Sequence, residues 1–381
     1  MLTRAGCDQR VGELLDRLSA DCQAIVLTHP CHVNYLSGFL PSLAVLNEQK
    51  LSFLVVAADG QTTLIADNWQ AGAARACQAH QTLIYEWYDE TRPAKSCRQL
   101  AVRTLLEHLR SVHPRLRGVG VETSALPFEA AENIRQLFRN VTLNDISEPL
   151  TEMRKCKHED EIESIREAVR ACEAGFSAVQ QELGPGMTEL EACASANAAA
   201  LNSAGLPIVA GGDFISGLER CAAGSGLPTS RVMQAGELLI MDFFLSLRGY
   251  HADLCRTLSV SGRLVQEQSR RLAILDKAKA AAEEQLRPGA KAAQIYKALP
   301  DVVAGEGLAG QFWGHAGHGI GLDHPESPFI VAESEEELEY GNVVTLEPGL
   351  YLEGWGGMRI EDDYLITTTG YERLSSLDSK G

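Results

Sequence analysis

The stretch that most constrains the fold of this chain is residues 236–258, which read GELLIMDFFLSLRGYHADLCRTL. Residues 238–244 and 250–258 are almost entirely apolar and a short turn separates them, so they are predicted to be two adjacent strands. Each strand holds one isolated acid, Asp242 and Asp253. A carboxylate buried in an apolar strand is costly unless it is paired or binds a metal ion. Since these two can face each other on adjacent strands, further ligands are expected downstream.

The composition indicates an acidic globular protein with two domains. The chain has 381 residues, 45% of them apolar, which is enough for two separate cores. The formal net charge of −17 argues against nucleic acid or an anionic membrane as a partner. The ten cysteines form no C-x-x-C pair, and the first residues of the sequence are polar. The apolar runs are all much shorter than the stretch of about 20 residues that spans a bilayer. We therefore expect a cytoplasmic protein with reduced thiols.

Residues 1–152 are predicted to form a smaller α/β domain, because strand and helix patterns alternate along them. Predicted strands occupy 24–28, 51–60, 62–67, 117–122 and 140–146, and predicted helices occupy 8–22, 97–112 and 127–138. Near residue 150 the pattern changes to a long helix with apolar residues at helical spacing and acids in its first turn. The second domain is therefore predicted to span 153–381.

The second predicted domain contains a weak internal repeat. LGPG at 183–186 and LRPG at 286–289 each follow one predicted helix and precede another, and strands come after each helix pair. Thr188 and Glu191 form a capping-box pattern after the first of these turns. Two helix–helix–strand–strand halves predict a pseudo-twofold α+β domain with a central antiparallel sheet. A site shared by the halves would draw ligands from both.

Three downstream stretches supply the expected further ligands. They read GHAGHGIGLDHPESP at 314–328, VVTLEPGLY at 343–351 and GGMRIEDDYLIT at 356–367. With the hairpin they give one imidazole and four carboxylates: Asp242, Asp253, His318, Glu347 and Glu361. This oxygen-rich set suits Mn²⁺, Co²⁺, Fe²⁺ or Zn²⁺. Four carboxylates overcharge a single divalent ion, so the set predicts two metal ions.

The order Asp, Asp, His, Glu, Glu, together with the contexts GHGIGL, EPGLY and RIED, resembles the pita-bread metallopeptidases. That group includes aminopeptidase P, prolidase, methionine aminopeptidase and creatinase. The resemblance covers roughly 150–370 well and extends to the first domain through VNYLSGF at 33–39, which is similar to a segment of the aminopeptidase P and prolidase branch. It implies a C-terminal pita-bread domain after a creatinase-like N-terminal domain, a metal-dependent hydrolase and a homodimer.

The resemblance also implies a role for each ligand. Asp242 would chelate one metal ion, His318 and Glu347 would bind the second, and Asp253 and Glu361 would bridge them. A water activated between the metal ions would be the nucleophile, and Glu347 or Glu361 would take its proton. Arg359 would hold a ligand carboxylate in place; a surface salt bridge is the alternative for this residue.

Two positions depart from the pattern of the peptidases. Ser225 stands where a histidine precedes the first ligand strand, and Pro325 stands where a histidine follows the ligand histidine, with His324 one position early. In the peptidases those imidazoles are thought to orient the scissile carbonyl and stabilise the oxyanion. Either other groups replace them, with His251, His315 and His324 as candidates, or the substrate is not an ordinary Xaa-Pro peptide. Each of the three histidines is also compatible with a packing or loop role.

The favoured function is hydrolysis of an amide bond by a dinuclear enzyme, nominally an Xaa-Pro aminopeptidase or dipeptidase. The alternative is a non-peptidase relative that acts on a small nitrogenous or zwitterionic metabolite, as creatinase and small-amide hydrolases do. A metal-free binding module is disfavoured, because all five ligands are present. The resemblance leaves the metal open among manganese, cobalt, iron and zinc.

Overall fold

The computed structural model describes residues 1–19, 21–41, 50–312 and 314–379. The chain separates into two compact units, Met1–Arg154 and Lys155–Gly381. Among the described residues, no helix has the length and apolar character needed to cross a bilayer.

The first unit is a mixed sheet with helices, as expected of an α/β domain. Its strands are β1 (Ala24–Leu27), β2 (Phe53–Ala57), β3 (Thr62–Asp67), β4 (Gln81–Tyr85), β5 (Gly118–Val121) and β6 (Thr142–Asp145). Its helices are α1 (Arg4–Arg17), α2 (Pro30–Ser37), α3 (Ala71–Ala76), α4 (Cys97–Val112) and α5 (Phe128–Leu137), and α6 (Ser147–Lys155) ends at the boundary. The sheet order is β4-β3-β2-β1-β5-β6, in which β1–β2 and β2–β3 are antiparallel and the other pairs parallel.

The first helix differs from its prediction at both ends. It spans Arg4–Arg17 rather than 8–22, because the Thr3 side chain caps it by accepting a hydrogen bond from the Gly6 N–H at 3.0 Å. At its other end Leu18 is already extended. The apolar periodicity located the helix, but the cap decided where it begins.

The second unit alternates helix pairs with antiparallel strands. Its helices are α7 (Glu159–Glu182), α8 (Glu189–Ala204), α9 (Leu218–Ala223), α10 (Gln266–Glu283) and α11 (Ala292–Gly305). Its strands are β7 (Ile208–Ser216), β8 (Leu238–Leu247), β9 (Tyr250–Ser259), β10 (Gly317–Gly319), β11 (Glu326–Ile330), β12 (Val343–Leu346), β13 (Gly349–Leu352), β14 (Gly356–Arg359), β15 (Asp362–Ile366) and β16 (Tyr371–Arg373).

The predicted α+β architecture is confirmed. The helix pairs α7–α8 and α10–α11 each precede strands, and the Thr188–Glu191 capping box starts α8. The antiparallel strands fall into two main sheets, β7-β8-β9 and β11-β10-β12-β15-β16, beside the β13–β14 hairpin. An isolated bridge between Cys255 and Glu361 joins β9 to the segment that enters β15. The segments of the two halves that carry the predicted ligands Asp253 and Glu361 therefore meet at this bridge.

The hairpin β8–β9 forms around a two-residue turn. Leu247 pairs with Tyr250, and the intervening Arg248 and Gly249 have φ of 53° and 87°. Both values lie in the left-handed region that a tight hairpin turn of this kind requires. The two acids are on the same face but not directly opposite each other: Asp242 pairs with Cys255, and Asp253 pairs with Phe244. They are diagonal neighbours, which leaves room for a ligand between them.

Candidate metal centre

Five elements of the second unit bring the predicted ligands together. Asp242 lies on β8, Asp253 on β9 and His318 on β10, while Glu347 follows β12 and Glu361 lies between β14 and β15. Asp253, His318, Glu347 and Glu361 are buried, and Asp242 is partly buried. Side chains two residues apart on a strand share a face, so Asp253 and Cys255 point the same way as Asp242, the cross-strand partner of Cys255. The Cys255–Glu361 bridge then adds Glu361 to that face.

The ligand atoms form overlapping groups of three. The carboxylates of Asp242, Asp253 and Glu361 offer oxygens that lie within 4.8 Å of one another, and so do ligand atoms of His318, Glu347 and Glu361. Glu361 belongs to both groups. His318 Nε2 lies 3.6 Å from Glu347 Oε1 and 3.7 Å from Asp253 Oδ2. Each of these groups could hold a metal ion, and Glu361 is common to both.

The carboxylates in this cluster have buried oxygens without partners. Asp242 Oδ1, Asp253 Oδ1 and Glu361 Oε1 find no hydrogen-bond donor among the described residues. Burial first, and then the charge of Asp253, raise the pKa of Glu361 well above its ordinary value. Burial likewise raises the pKa of Asp242, although Arg359 opposes the shift. Buried carboxylates of this kind are stable when cations neutralise them, so the residues fit a metal centre.

Arg359 holds one of these carboxylates from outside the cluster. Its Nη2 donates to Asp242 Oδ2 and, at 3.1 Å, to Asp213 Oδ2. Its Nη1 donates to the Tyr351 hydroxyl at 3.1 Å and to the Gly224 carbonyl at 3.0 Å. The guanidinium side chain is only 10% exposed, so these contacts are not a surface salt bridge.

Arg256 supports the bridge between the two ligand-bearing strands. This fully buried side chain donates through Nη1 to the carbonyls of Cys255 at 2.7 Å and Glu361 at 2.6 Å. Its Nη2 and Nε donate to the carbonyls of Leu377 at 3.0 Å and Asp378 at 2.6 Å. A single guanidinium therefore ties the backbone at Cys255 and Glu361 to the chain segment 377–378.

Of the three candidate replacement histidines, His324 lies closest to the ligand cluster. Its Nε2 lies 2.5 Å from Asp253 Oδ2, and it forms a further group of ligand atoms with Asp253 and His318. Its ring stacks on Phe244 at 4.8 Å and on His251 at 6.0 Å between centroids. The Nδ1 of His251 instead lies 3.0 Å from the Gly321 carbonyl. His251 therefore contacts the ring of His324, which in turn contacts the cluster.

The other two positions singled out by the sequence lie at the edge of the cluster. His315 Nε2 lies 3.2 Å from Glu347 Oε1, and this carboxylate raises the pKa of the imidazole. Ser225 donates through Oγ to Asp213 Oδ1 at 3.2 Å and is exposed. Sequence reasoning missed Asp213, an acid in β7 that pairs with Asp242 in the register. The only sequence signal for it is an isolated acid after two glycines in an otherwise apolar segment.

Comparisons with known proteins agree with this geometry. The profile of Metallopeptidase family M24 matches residues 163–368, and that of the Creatinase/Prolidase N-terminal domain matches residues 9–156. The chain is 29% identical over 265 residues to the Xaa-Pro dipeptidase of Pyrococcus horikoshii, covering 69% of this chain and 74% of that protein. In fold it is similar to an X-Pro aminopeptidase from Thermotoga maritima, with a TM-score of 0.82 at 23% identity over 97% of this chain and 98% of that one. Dipeptidase PepE from Mycobacterium ulcerans gives a TM-score of 0.76 at 24% identity, covering 100% of this chain and 98% of that one.

Proposed function

This chain belongs to metallopeptidase family M24 and is a metal-dependent hydrolase, and on that premise we propose that it cleaves the amide bond between an N-terminal residue and proline. The observation that carries the proposal is the pair of ligand groups that share Glu361. Asp242, Asp253 and Glu361 each have a buried oxygen that finds no donor in the described part of the chain. The names of the relatives supply the substrate class, since they include Xaa-Pro dipeptidases. The small-metabolite alternative is not favoured by these relatives.

The proposal assigns two divalent metal ions to the centre. Asp242, Asp253 and Glu361 would hold one, and His318, Glu347 and Glu361 would hold the other, with the overlap of the two groups as support. Manganese is the first choice to test, followed by cobalt, iron and zinc, because oxygen ligands dominate the set. When bound, such ions polarise a carbonyl oxygen and acidify a water molecule.

The remaining steps belong to side chains of the protein. We assign Glu347 as the base that receives a proton from the attacking water. Its exposed fraction is larger than that of Glu361, at 9% against 1%. His315, whose Nε2 lies 3.2 Å from Glu347 Oε1, orients that carboxylate. The proton then passes to the nitrogen of the departing amine.

His324 is assigned the hydrogen bond to the scissile carbonyl. Its ring stacks on Phe244 and His251, and its Nε2 bonds to Asp253, so the donor in this assignment is Nδ1–H of the protonated ring. A donor fixed in this way stabilises the charge that develops on the carbonyl oxygen. His251 supports the ring and has no contact of its own with substrate in this scheme.

The proposed function includes an oligomeric state and a cellular location. We assign a homodimer on the resemblance to the aminopeptidase P and prolidase branch. A cytoplasmic location is supported by the ten cysteines, all of which are free thiols in the structure.

The decisive experiment is a peptide panel with matched variants. The metal-loaded protein is expected to release the first residue from Ala-Pro and Ala-Pro-Pro but not from Ala-Ala. Glu361→Gln should abolish turnover and weaken metal binding by more than about tenfold, since even indirect ligand supports contribute that much. Glu353→Gln, an exposed glutamate of the β13–β14 turn, is the control and should match the wild type. If Mn²⁺-, Co²⁺- and Zn²⁺-loaded protein all leave every Xaa-Pro peptide intact, the peptidase assignment is wrong.

A further inference from the structure

A fifth carboxylate, that of Asp213, lies beside the candidate metal centre but outside the ligand groups. Asp213 is on β7, directly opposite Asp242 in the strand register. The strands approach closely here: a Cβ on the preceding Gly212 would lie 1.9 Å from the Asp242 carbonyl oxygen, and Gly212 has φ of 146°. The backbone of β7 therefore lies against the residue that carries a ligand. The Asp213 side chain is 19% exposed.

Asp213 anchors the short segment 224–226. Its Oδ1 accepts hydrogen bonds from the Gly226 N–H at 2.9 Å and from the Ser225 hydroxyl at 3.2 Å. Arg359, the partner of its other oxygen, donates to the Gly224 carbonyl at 3.0 Å. All three residues of the segment are thus fixed by one ion pair. Because each of its residues is hydrogen-bonded, the irregular segment 224–226 is held in a fixed position at the edge of the metal centre.

Asp213 also competes with Asp242 for the charge of Arg359. The same atom, Arg359 Nη2, donates to Oδ2 of both carboxylates. The Oδ1 of Asp242 is buried and finds no donor among the described residues. A guanidinium shared between two carboxylates withdraws less electron density from Asp242 than one devoted to it alone. Asp213 therefore keeps Asp242 a stronger cation ligand.

We propose that Asp213 is a positioning residue of this hydrolase: it divides the guanidinium of Arg359 with Asp242 and fixes residues 224–226 beside the metal centre. The expected effect of Asp213 on metal affinity rests only on the ligand groups of the metal centre. The effect on peptide turnover rests on the proposed Xaa-Pro function. Nothing in the mechanism above requires Asp213 to touch the reacting atoms.

The test compares two substitutions that each remove one carboxylate charge from a partly buried arginine pair. Asp213→Asn retains an oxygen that accepts hydrogen bonds from residues 225 and 226 but loses the charge beside Arg359. Glu237→Gln removes the charge of the Arg231 pair in the same unit, where the two groups lie 2.5 Å apart. Asp213→Glu keeps the charge at position 213.

The first readout is the Zn²⁺ dissociation constant of the metal-free full-length chain, measured by competition with a chromophoric chelator. Asp213→Asn is expected to weaken binding of one zinc equivalent about tenfold, the size seen when a residue that supports a ligand is removed. Glu237→Gln should stay within about twofold of the wild type, and Asp213→Glu should recover most of the loss. Wild-type affinity in Asp213→Asn, or an equal loss in Glu237→Gln, would overturn the proposal.

The second readout is the kinetics on Ala-Pro at saturating metal. Asp213→Asn should then regain the wild-type kcat, because its defect lies in cation binding, while Asp213→Ala should retain a raised KM because residues 225 and 226 lose their anchor. A kcat deficit in Asp213→Asn that saturating metal leaves unchanged would refute the positioning role. If the wild type cleaves no Xaa-Pro peptide, the zinc titration still decides the role of Asp213, so the two failures are distinguishable.

Discussion

The substitution Gly175→Ala tests whether α7 packs against β8 as closely as the structure shows. A Cβ at Gly175 would lie 2.7 Å from Phe243 Cε1 and 3.1 Å from the Ala196 carbonyl oxygen. The Phe243 ring cannot move aside easily, because it is fully buried and contacts the rings of Phe176 at 6.4 Å and Phe214 at 5.9 Å between centroids. Phe243 is the neighbour of the proposed ligand Asp242 on β8.

Two effects of opposite sign determine the expected magnitude. Alanine is favoured over glycine in a helix interior by about 1 kcal/mol. Forcing a methyl group into a packed core costs about 1–3 kcal/mol. The net expectation for Gly175→Ala is a loss of about 1 kcal/mol in the free energy of unfolding of the second unit.

Gly12 provides the matched control, because it lies within α1 and a Cβ there would meet nothing within 4 Å. Gly12→Ala should therefore gain the helix preference alone, about 1 kcal/mol of added stability. Urea unfolding followed by circular dichroism, with the two transitions fitted separately, measures both changes. If Gly175→Ala stabilises the protein as much as Gly12→Ala does, the close approach of α7 to β8 is wrong.

Two further predictions follow from the site and its surroundings. His324→Asn should lower kcat about 10²–10³-fold, which is the cost of losing a donor to a developing oxyanion. His251→Asn should lower kcat by less than about tenfold, because His251 only supports the ring of His324. Steady-state kinetics on Ala-Pro measures both changes, and equal losses would contradict the assignment. Burial alone would raise the pKa of Glu189, but hydrogen bonds from Thr229 and Ser216 outweigh it and lower this pKa. The stability from Glu189 is therefore present above its unfolded pKa of about 4.3 and is lost as the pH falls through the lower folded value. Acid unfolding of Glu189→Gln should show a smaller decline than the wild type across that window, and identical acid profiles would refute this.

The hairpin and the residues proposed as ligands were predictable as candidates because local patterns point to them. Two apolar segments around a two-residue turn can pair in few ways, and the face of Asp242 and Asp253 follows from strand periodicity. The proposed ligands were identified as residue types that are costly to bury without a cation. Strand periodicity does not predict the diagonal offset of Asp242 and Asp253, because the register of the two strands depends on which residues form the turn.

Asp213 and the ranking of the histidines were not predictable, because both depend on long-range geometry. Asp213 meets Asp242 only through the β7–β8 register, which the intervening helix α9 and loop leave undetermined in the sequence. His251 shares a strand face with Asp253 as predicted, yet the segment before β11 brings His324 between His251 and the ligands. Strand periodicity cannot anticipate a loop that folds back over the same face.

The contacts of Arg256 have a consequence for the order in which the protein matures. The hairpin with Asp242 and Asp253 is synthesised before part of its support, because the carbonyl of Asp378 that Arg256 binds lies 122 residues further along the chain. Glu361 and Glu347 also come after the hairpin. A nascent chain therefore cannot complete the proposed ligand set before Glu361 has been made, or the support of Arg256 before Asp378 has been made.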